Sequence, residues 1–450
     1  MAESYSALRE KYPVFRYKSY EYTLGESTLD ISYKFEIDGL TEFNPKWSVE
    51  RKSVVGIDEN TLERMVFSLG MVELVSYWKA TCSPEIRLPT ELPDDALCWW
   101  KKLYLNGLGE FFYRNGIEYS DDVMTFVCAD EKIPCDSTAV YDKNSDNVLV
   151  PVGGGKDSVV TLEILKGKKN VCAYAINPKK ANYDTVEVAG LSEKFIKASR
   201  TIDKNLLDLN ARGFLNGHTP FSAIVAFSGI IAAYINGIGN VVLSNESSAN
   251  ESTVENTNVN HQYSKSYEFE SDFIRYEKEY LLAGVRYFSF LRPLLEIQIA
   301  RAFSEFKAYY PVFKSCNLGS KTDIWCCNCA KCLFVYIILS PFIPEDELVG
   351  IFGENLLDSD KLTDDFEKLL GIQAEKPFEC VGERSEVLMA MNMLIDKRPD
   401  NLPYLVEKYR DRITENKADY NACLNYFDKE NSLPDEFERI LADFLEKTYD

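Results

Sequence analysis

The chain has 450 residues, an apolar fraction of 46% and a formal net charge of -21. The length suits two or three domains, and the composition is that of a globular protein with a buried core. A surface this acidic repels the phosphates of nucleic acids, so we expect no nucleic-acid partner. No apolar run is long enough to span a bilayer, and no basic region followed by an apolar run opens the sequence. We therefore expect a cytoplasmic protein without membrane attachment.

Residues 1–145 are predicted to form a mixed α+β unit. Apolar and aromatic residues alternate with polar ones from Phe15 to Ile37, and Gly25 separates the two runs. A period of two around a glycine predicts a β-hairpin. Helical spacing of apolar residues over 62–79 and 99–114 predicts helices in the same unit.

The central region, residues 146–340, alternates apolar strands with helical segments. Such alternation implies a parallel sheet with right-handed crossovers, and ligands of such sheets bind beyond the carboxyl ends of the strands. The informative loops are therefore those that follow the strands. The predicted strands cover residues 147–152, 171–176, 195–202 and 241–244, and the predicted helices cover residues 157–166, 184–194 and 220–236.

Residues 341–450 are acidic and helical in pattern. Leu362, Phe366, Leu369 and Leu370 recur at helical spacing. This pattern favours a scaffold of helices with a solvated acidic face. The sequence as a whole thus predicts an α/β fold, in which a central parallel-sheet domain carries a mixed α+β N-terminal unit and a helical C-terminal extension.

Three consecutive glycines, Gly153, Gly154 and Gly155, lie between a predicted strand and a predicted helix. Without a Cβ atom, the backbone can approach a ligand closely and adopt positive φ angles. Its amides can then converge on an anion, and the positive end of the following helix adds to the attraction. The alternative is a plain strand-to-helix turn without a ligand.

The three residues after the glycines carry polar groups that suit a phosphate site. Lys156 adds a positive charge, and Ser158 adds a hydroxyl donor in the first helical turn. Asp157 is placed to cap the helix or to hold Mg²⁺ through water. The spacing is neither that of the Walker loop nor that of the GxGxxG loop. The whole string from Val150 to Ser158 nevertheless predicts phosphate binding.

That string resembles the PP-loop ATP pyrophosphatases, whose pattern is Ser-Gly-Gly-x-Asp-Ser at the end of the first strand. The resemblance implies a PP-loop nucleotide-binding domain that cleaves ATP between its α- and β-phosphates, usually by adenylating an oxygen of the substrate. Gly153 stands where the pattern has its first serine. This exchange removes one hydroxyl donor and keeps the backbone donors, so we expect ATP binding to persist.

Further strings stand out at residues 69–84, 107–115, 216–220, 244–248, 261–266 and 325–334. Together they resemble the MurL family, over about residues 10–340 of the chain. The resemblance implies an isomerase of peptidoglycan synthesis, a UDP-N-acetylmuramoyl-L-alanyl-L-glutamate epimerase. Such an enzyme inverts the terminal L-glutamate to D-glutamate and converts ATP to AMP and pyrophosphate. We expect residues 1–145 to bind the substrate.

Inverting a glutamate requires removal of the proton from its α-carbon. Beside a carboxylate this proton is barely acidic, because its removal would create a dianion. Adenylation removes the carboxylate charge and makes the group ester-like, so the proton becomes removable. Deprotonation, reprotonation on the other face and hydrolysis of the adenylate complete the cycle, while Mg²⁺ and the loop amides stabilise the departing pyrophosphate.

Few residues suit the proton transfers, because the chain has two histidines, His218 and His261. A side chain that titrates near neutrality suits general acid–base catalysis. The alternatives are a helix-entry role for His218, just before Pro220, and a solvated surface position for His261. We predict His218, His261, Lys265 and Asp157 as the catalytic residues.

The predicted nucleotide site draws on residues beyond the glycine turn. Asn245, Glu246 and Ser247 follow the fourth predicted central strand and are candidates to bind the ribose or the adenylated carboxylate. Arg292, just before a proline, is a candidate to bind phosphate. Together with the string from Gly153 to Ser158, these residues form the predicted site for ATP and Mg²⁺.

Four of the twelve cysteines predict a metal site. Cys316, Cys326, Cys329 and Cys332 have the spacing C-x9-C-x2-C-x2-C, and C-x2-C steps let thiolates face one tetrahedral ion. The preQ0 synthases carry a similar cluster in the same region, so the resemblance also implies structural Zn²⁺. The alternative is a set of buried cysteines in an apolar turn. The other cysteines are scattered, which indicates a reducing compartment rather than a disulfide scaffold.

Two other functions remain open. One is another PP-loop adenylating enzyme, similar to the preQ0 synthases or amide-forming, that acts on a small carboxylate. The other is a nucleotide-binding regulatory module without turnover. Asp157 and Ser158, with the polar stretch from His261 to Lys265 expected on the same side, favour an enzyme. The expected partners are the UDP-muramoyl dipeptide and ATP.

Overall fold

A computed structural model describes residues 4–118, 120–134, 144–250, 253, 259–415 and 420–449. These residues contain one sheet of 11 strands. The strands are β1 (Val14–Leu24), β2 (Thr28–Ile37), β3 (Thr41–Phe43), β4 (Lys46–Glu50), β5 (Glu85–Leu88), β6 (Thr125–Cys128), β7 (Asn144–Pro151), β8 (Asn170–Ile176), β9 (Phe195–Thr201), β10 (Ile238–Leu243) and β11 (Arg286–Ser289).

Helices cover both faces of the sheet and form most of the chain after it. In the described residues they are α1 (Tyr5–Lys11), α2 (Glu59–Trp78), α3 (Asp94–Gly107), α4 (Gly109–Arg114), α5 (Lys156–Leu165), α6 (Lys180–Val188), α7 (Lys204–Ala211), α8 (Phe221–Ile235), α9 (Tyr267–Tyr276), α10 (Glu296–Ser304), α11 (Ala330–Leu339), α12 (Glu345–Phe352), α13 (Thr363–Leu369), α14 (Arg384–Lys397), α15 (Tyr404–Lys408), α16 (Arg410–Thr414), α17 (Tyr420–Leu424) and α18 (Asp435–Tyr449).

The strand order is β11-β10-β7-β8-β9-β4-β2-β1-β5-β6, and β3 pairs with β2. Neighbouring strands from β11 to β9 run parallel, as the alternation of strands and helices predicts. The predicted hairpin is confirmed as β1 and β2, which pair antiparallel on either side of Gly25. The expectation of an α/β fold with a large, mostly parallel sheet is therefore confirmed.

The N-terminal and central strands belong to one continuous sheet. Strand β4 pairs antiparallel with β9, for example at Val49 and Ala198. These two residues also share one hydrophobic core, so the first predicted region packs directly on the second. The boundaries at residues 145 and 340 stay predictions, and residues 135–143, beside the first boundary, lie outside the described part of the chain.

Strand β7 shows why helices pack on both faces of the sheet. Val148 and Val150 point into a core that also contains residues of α5, α10 and α11. Leu149, between them, points into the other core, with residues of α2 and α8. A parallel strand that is apolar on both faces is buried from both sides. Open space for a ligand is therefore left at the ends of the strands.

The chain after residue 340 is helical, as predicted. Leu362, Phe366, Leu369 and Leu370 pack into the same core as α10 and α11. The segment between α13 and α14 departs from the expected solvated scaffold, because it returns to the centre of the molecule and contacts residues of the site. Every helix in the described ranges is too short or too polar to cross a membrane.

Candidate active site

The glycine turn lies between β7 and α5, at the carboxyl edge of the parallel strands. Gly154 has a φ of +85°, in a region that residues with a Cβ rarely adopt. A Cβ at this position would also lie 3.0 Å from the Ala181 Cβ and 3.3 Å from the Lys314 carbonyl oxygen. The Lys314 amide donates a hydrogen bond of 2.7 Å to the Gly154 carbonyl oxygen. The turn is therefore held in a conformation that requires glycine.

Lys156 is buried at the start of α5 and forms ion pairs with the carboxylates of Asp157 and Glu296. We call these three residues the loop cluster. Burial raises the pKa of Glu296 to about 7, and the charge of Lys156 offsets only part of that rise. Burial also raises the pKa of Asp157, but the charges of Lys156 and Lys331 outweigh it and leave that pKa below its ordinary value. One ammonium group thus faces two carboxyl groups.

A further carboxyl group stands beside the loop cluster. Glu386, in α14, is buried and accepts a hydrogen bond of 3.2 Å from the Ile297 amide. Burial, reinforced by the charge of Glu296, raises the pKa of Glu386 to about 8. The acidic C-terminal region therefore contributes directly to the electrostatics of the glycine turn.

An open cleft of about 280 Å³ adjoins the glycine turn. It lies at the carboxyl ends of β7 and β8, where parallel sheets bind ligands. A Cβ built at Gly153 meets no atom within 4 Å, so this side of the turn is open. Ser158, in the first turn of α5, donates a hydrogen bond of 3.1 Å to the Gly155 carbonyl oxygen. The cleft is lined by Val152, Gly153, Ile176, Asn177, Lys179 and Asn182, among others.

The two predicted histidines meet at one carboxylate, that of Glu110 in α4. The Nδ1 atom of His261 lies 2.5 Å from Glu110 Oε2, and the Nδ1 atom of His218 lies 3.3 Å from the same oxygen. The centroids of the two rings are 4.6 Å apart. His261 also forms a hydrogen bond with the thiol of Cys380, in the segment between α13 and α14. We call Glu110, His218, His261 and Cys380 the thiol cluster.

The contact between His261 and Glu110 is a hydrogen bond rather than a metal bridge. Two atoms that share a metal ion at about 2.1 Å each stand roughly 3 Å or more apart. The nitrogen and the oxygen of this pair are 2.5 Å apart. Arg114 donates a further hydrogen bond, of 2.7 Å, to the other oxygen of Glu110. The thiol cluster is therefore a hydrogen-bonded chain from a fixed carboxylate through an imidazole to a thiol.

The charges of the thiol cluster follow from its geometry. Burial raises the pKa of Cys380, but the charge of Lys265 and the hydrogen bond from His261 outweigh it and lower that pKa to about 5. Burial lowers the pKa of His261, yet its hydrogen bonds to Cys380 and Glu110 raise it to about 9. Burial and the charge of His261 lower the pKa of His218 to about 4. At neutral pH the cluster therefore holds a thiolate, an imidazolium and a neutral imidazole.

Two lysines lie between the loop cluster and the thiol cluster. Lys265 and Lys331 each interact electrostatically with Asp157 in the first cluster and with Cys380 in the second. The ammonium group of Lys331 also donates a hydrogen bond to the Cys380 carbonyl oxygen. Burial lowers the pKa of Lys265, but its neighbours, Cys380 foremost, outweigh that effect and raise the pKa above its ordinary value. Both lysines therefore place positive charge where the two clusters meet.

Gly382 brings the segment of Cys380 into direct contact with the loop cluster. A Cβ at Gly382 would lie 3.0 Å from the Glu296 Cγ and 2.9 Å from the Phe334 Cζ. The backbone can pass this close to Glu296 because no side chain intervenes. The two clusters therefore belong to one polar centre rather than to separate sites.

Three other predicted residues lie at the carboxyl end of β10. Asn245 donates a hydrogen bond of 3.0 Å to the Ser289 hydroxyl. Ser247 donates one of 3.1 Å to a backbone carbonyl oxygen. Glu246 is buried and interacts electrostatically with Lys265. Of the three side chains, that of Glu246 is the one tied to the polar centre.

Arg292 is fully buried, and protein acceptors surround its guanidinium group. It pairs with Glu270 at 3.0 Å and donates hydrogen bonds of 2.5 Å to the carbonyl oxygens of Glu246 and Lys265. A buried and paired arginine of this kind fixes the two loops that carry those residues. Its contact with phosphate stays a prediction, and this packing directs its donors elsewhere.

Cys316, Cys326, Cys329 and Cys332 come together, as their spacing predicts. Their sulphur atoms lie within 4.8 Å of one another. Three of the sulphur pairs are 3.5, 3.7 and 4.0 Å apart. Four sulphurs that bind one tetrahedral ion at about 2.3 Å each stand roughly 3.8 Å apart. This four-sulphur group therefore has the dimensions of a site that could hold a metal ion.

The four-sulphur group also supports the polar centre. The two residues before Cys316 pack against the glycine turn, since Lys314 bonds the Gly154 carbonyl and the Ser315 Cβ stands 3.2 Å from where a Cβ of Gly155 would lie. The lysine that precedes the last of the four cysteines reaches the thiol cluster. Loss of order in the four-sulphur group would therefore displace residues that contact both clusters.

Four residues of the polar centre are missing from the predicted site. Glu110 lies in one of the strings that resemble the MurL family, and Lys331 lies within the cysteine motif. The motifs that contain these two residues could therefore have indicated both as site residues. Glu296 and Cys380 lie in no motif, and only the fold brings them to the glycine turn.

The fold and the site together define a class of protein. A glycine turn that opens a helix at the edge of a parallel sheet is suited to bind an anion. Beside it stands an ionised cysteine–histidine pair, which is suited to acid–base chemistry. Both arrangements lie in one polar centre, as expected of an α/β enzyme.

Comparison with known proteins identifies the family. Models of the MurL N-terminal domain and the MurL C-terminal domain match residues 6–290 and 312–423 of the chain. The chain therefore belongs to the MurL family, and the resemblance of its sequence strings to that family is confirmed. No solved structure matches the chain.

Three curated relatives carry the name UDP-N-acetyl-alpha-D-muramoyl-L-alanyl-L-glutamate epimerase. The protein from Salinispora tropica is 35% identical over 392 residues, which is 84% of each chain. The protein from Micromonospora sp. is 36% identical over 75% of this chain and 76% of its own length. The protein from Xanthomonas oryzae pv. oryzae is 35% identical over 76% of this chain and 77% of its own length.

Proposed function

We propose that this enzyme activates its substrate with ATP and Mg²⁺ before it inverts the α-carbon of a glutamate. The reaction is the epimerisation of the terminal L-glutamate of UDP-N-acetylmuramoyl-L-alanyl-L-glutamate, a step of peptidoglycan synthesis, which is the activity that the relatives' names give. The enzyme is thus an isomerase that acts on a UDP-muramoyl dipeptide. The ATP step rests on one observation, the glycine turn that opens α5 beside the loop cluster.

The nucleotide is proposed to lie along the glycine turn. Amides of Gly153, Gly154 and Gly155, together with the positive end of α5, suit the phosphates. The cleft of about 280 Å³ beside Gly153 suits the adenosine, because it lies at the ends of two parallel strands. Glu246, whose carboxylate faces Lys265, remains the candidate near the ribose or the activated carboxylate.

The loop cluster is proposed to hold Mg²⁺ together with the nucleotide. Magnesium prefers carboxylate oxygens and keeps several waters. Asp157 and Glu296 supply carboxyl oxygens beside the ammonium group of Lys156. Asp157, whose pKa lies below its ordinary value, is the proposed ligand of the ion, directly or through water.

Adenylation explains why an epimerase would consume a nucleotide. Removal of the α-proton beside a free carboxylate builds two negative charges on neighbouring atoms. In the acyl adenylate the carboxylate charge is gone, and the electron pair left by the proton enters a carbonyl group. ATP would become AMP and pyrophosphate, and positive charge at the loop cluster would stabilise the leaving group.

His218, His261 and Lys265 are the proposed proton-transfer residues. Both imidazoles lie at Glu110, and Lys265 faces the same thiol that His261 contacts. A neutral imidazole and an imidazolium side by side can relay a proton between the site and solvent. The residues 1–145, whose α4 carries Glu110, are proposed to bind the UDP-sugar part of the substrate.

The four-sulphur group is proposed to hold structural Zn²⁺. The sulphur distances fit a tetrahedral ion, and four thiolates leave no open position for a substrate. The ion would fix the segment that packs against the glycine turn. Its contribution would be stability and positioning rather than chemistry on the substrate.

The direct test incubates the purified protein with UDP-N-acetylmuramoyl-L-alanyl-L-glutamate, ATP and Mg²⁺. Chiral analysis of the released glutamate should show the D-form, with at least one AMP and one pyrophosphate formed per inversion. Replacing ATP by its α,β-methylene analogue should stop the inversion, because that analogue cannot be cleaved between its α- and β-phosphates. Inversion that continues without ATP would overturn the adenylation route.

The same assay separates the two alternative functions. Pyrophosphate release with a small carboxylate but no D-glutamate from the muropeptide would point to another adenylating enzyme. Binding of ATP without pyrophosphate release for any carboxylate would point to a regulatory module.

A further inference from the structure

Cys380 ends the hydrogen-bonded chain of the thiol cluster, although it lies far along the sequence from every motif. We propose that its sulphur is the base that removes the α-proton of the glutamate, that His261 and Lys265 keep it ionised, and that Glu110 positions His261. This proposal rests on the proposed adenylation, which makes that proton removable. It assigns a catalytic role to a residue in the segment between α13 and α14.

The surroundings of the sulphur are those of a reactive thiolate. Its side chain forms hydrogen bonds with both His261 and Lys265. His261 is in turn fixed by the 2.5 Å contact with Glu110. A thiol beside a protonated imidazole and an ammonium group gives up its proton readily, so at neutral pH the thiolate is present to act as a base or nucleophile. The low pKa of Cys380, about 5, agrees with this environment.

The segment that carries Cys380 is held from several sides, so the position of the sulphur is defined. The Lys376 amide donates a hydrogen bond of 3.1 Å to the Thr253 carbonyl oxygen. The Gln262 side chain donates one of 3.3 Å to the Val381 carbonyl oxygen. On the other side of Cys380, the Phe378 ring packs on α4. Its centroid lies 5.5 Å from that of the Tyr113 ring. Contacts on both sides of the cysteine thus tie it to the elements that carry His261 and Glu110.

The segment that carries the sulphur also approaches the loop cluster, as an adenylated substrate at the glycine turn would require. In an acyl adenylate, only an oxygen and the carbonyl carbon separate the α-phosphorus from the α-carbon. Lys331 interacts electrostatically with Asp157 and donates a hydrogen bond to the backbone of Cys380. A Cβ at Gly382, two residues on, would lie 3.0 Å from the Glu296 Cγ, so the backbone passes close to the loop cluster. A carboxylate activated at the turn therefore presents its α-carbon towards this segment.

The proposed step balances without a further reagent. The bond between the α-carbon and its hydrogen breaks, and the proton passes to the Cys380 sulphur, which becomes a thiol. The electron pair moves into the carbonyl group of the acyl adenylate and forms an enolate, whose charge faces Lys265. Water supplies a proton to the opposite face and restores the carbon. The thiol then loses its proton to solvent through His261, which returns the thiolate.

Several other cysteines in the described part of the chain lack these surroundings. Cys82 is buried, and burial raises its pKa above the ordinary value. Burial likewise raises the pKa of Cys128 and that of Cys172. Cys98 is exposed on α3, away from the thiol cluster, and serves as a control. Burial therefore does not by itself ionise a cysteine of this protein; at Cys380 the neighbouring cations do so.

The test compares Cys380→Ser and Cys380→Ala with the wild type and with Cys98→Ser. In deuterium oxide, three quantities are measured: pyrophosphate released in the first turnover, deuterium incorporated at the α-carbon, and D-glutamate formed. For both Cys380 variants we expect incorporation and inversion to fall by about 10²–10⁴-fold, with first-turnover pyrophosphate within roughly threefold of wild type. Cys98→Ser should match the wild type in all three.

A second measurement does not depend on any variant. Iodoacetamide at pH 6.5 should alkylate Cys380 of the wild type faster than Cys98, as followed by peptide mass spectrometry, and substrate with ATP should slow that reaction. Cys98 alkylated first, with Cys380 inert, would overturn the proposal.

The outcomes separate this proposal from the adenylation on which it rests. Incorporation and inversion retained in Cys380→Ser would overturn the role of Cys380 while leaving pyrophosphate formation in place. Pyrophosphate lost in step with incorporation would also overturn it, because the residue would then be structural. Inversion by the wild type without pyrophosphate formation would overturn the proposed adenylation but not the role of Cys380. That role is tested separately, by comparing deuterium incorporation in the wild type and the Cys380 variants.

Discussion

The two clusters of the polar centre are built in opposite ways. In the loop cluster, Lys156 and Asp157 are neighbours in sequence, and a glycine turn positions both of them. The thiol cluster takes Glu110, His218, His261 and Cys380 from four separate segments of the chain. One cluster therefore depends on local backbone conformation, whereas the other depends on the packing of the whole molecule.

Their charges differ as well. The loop cluster has one ammonium group for two carboxyl groups, a balance that suits a metal ion bound with a nucleotide. The thiol cluster has an imidazolium beside a thiolate, a balance that suits movement of a proton. We infer that activation of the carboxylate and inversion of the α-carbon can be damaged separately, and the predictions below test that separation.

Asp157→Asn should have a large effect on both activities, because it removes a charge from the proposed magnesium site. We expect pyrophosphate formation to fall by about 10²–10³-fold, and deuterium incorporation at the α-carbon to fall with it, since no adenylate forms. The measurement is first-turnover pyrophosphate and deuterium incorporation in the same sample. A Cys380 variant should lose the second quantity and keep the first.

Asp184→Asn is the matched control for that prediction. Asp184 lies in the nearby helix α6 and pairs with Lys180 at the surface, outside both clusters. Its variant should keep both activities. Equal losses in the two variants would mean that the loop cluster has no special part in ATP cleavage.

Glu110→Gln should move the pH dependence of proton exchange. The hydrogen bond and charge of Glu110 help to raise the pKa of His261 to about 9, so the imidazolium persists at neutral pH. Without that carboxylate the imidazolium loses its proton at lower pH, and the ion pair with Cys380 weakens. Deuterium incorporation at the α-carbon should therefore decline as the pH rises through about 9 in the wild type. In the variant the same decline should occur at a pH at least about one unit lower. Near pH 8 a one-unit shift should slow the variant by roughly twofold.

The groups that face His261 are Glu110, His218 and Cys380, so the profile is read against pyrophosphate formation in the same samples. Arg114→Gln is the matched control, because Arg114 bonds the other oxygen of Glu110 and leaves the carboxylate in place. It should shift the profile less than Glu110→Gln. An unmoved profile in Glu110→Gln would break the link between the carboxylate and proton transfer.

The contrast between the clusters also explains what sequence alone could predict. The turn from Gly153 to Ser158 is local, so its residues and their order predict the strand, the turn and the helix that the structure has. The hairpin around Gly25 is equally local, and its alternation fixes its pairing. The close C-x2-C spacing likewise predicts that the four cysteines come together.

What sequence could not give is set by long-range packing. His218 and His261 were predicted from their rarity, but nothing in the sequence says that Glu110 joins them. Cys380 lies in an acidic region whose composition indicates a solvated scaffold, and the close approach at Gly382 is visible only in three dimensions. The ladder between β4 and β9, which fuses two predicted regions into one sheet, is likewise a long-range pairing that periodicity cannot show.

Cys329→Ser should damage both clusters equally if the four-sulphur group is a structural zinc site. Loss of the ion frees the segment before Cys316 from the glycine turn and frees Lys331 from Cys380. We expect the variant to lose bound zinc and about 5–10 °C in melting temperature. The ratio of pyrophosphate formed to deuterium incorporated should stay at its wild-type value, because both activities decline together.

Cys327→Ser is the matched control, since Cys327 lies inside the motif but its sulphur donates to the Phe352 carbonyl oxygen at 3.0 Å. This variant should keep its zinc, as measured by metal analysis of the purified protein. A wild type that carries no zinc, or a Cys329→Ser variant as stable as Cys327→Ser, would favour buried cysteines without a metal.

The smallest effects should come from the glycine turn, where neighbouring positions differ in what they tolerate. Gly154→Ala should cost about 1–2 kcal/mol of stability, because alanine is strained at a φ of +85° and its Cβ would crowd Ala181. Gly153→Ser should change stability by less than about 0.5 kcal/mol, because nothing lies within 4 Å of its Cβ. It also adds the hydroxyl that the PP-loop pattern has there, so KM for ATP should fall slightly in pyrophosphate assays. If thermal unfolding gave both variants the same loss, the turn would not have the asymmetry on which a local, sequence-encoded loop cluster depends.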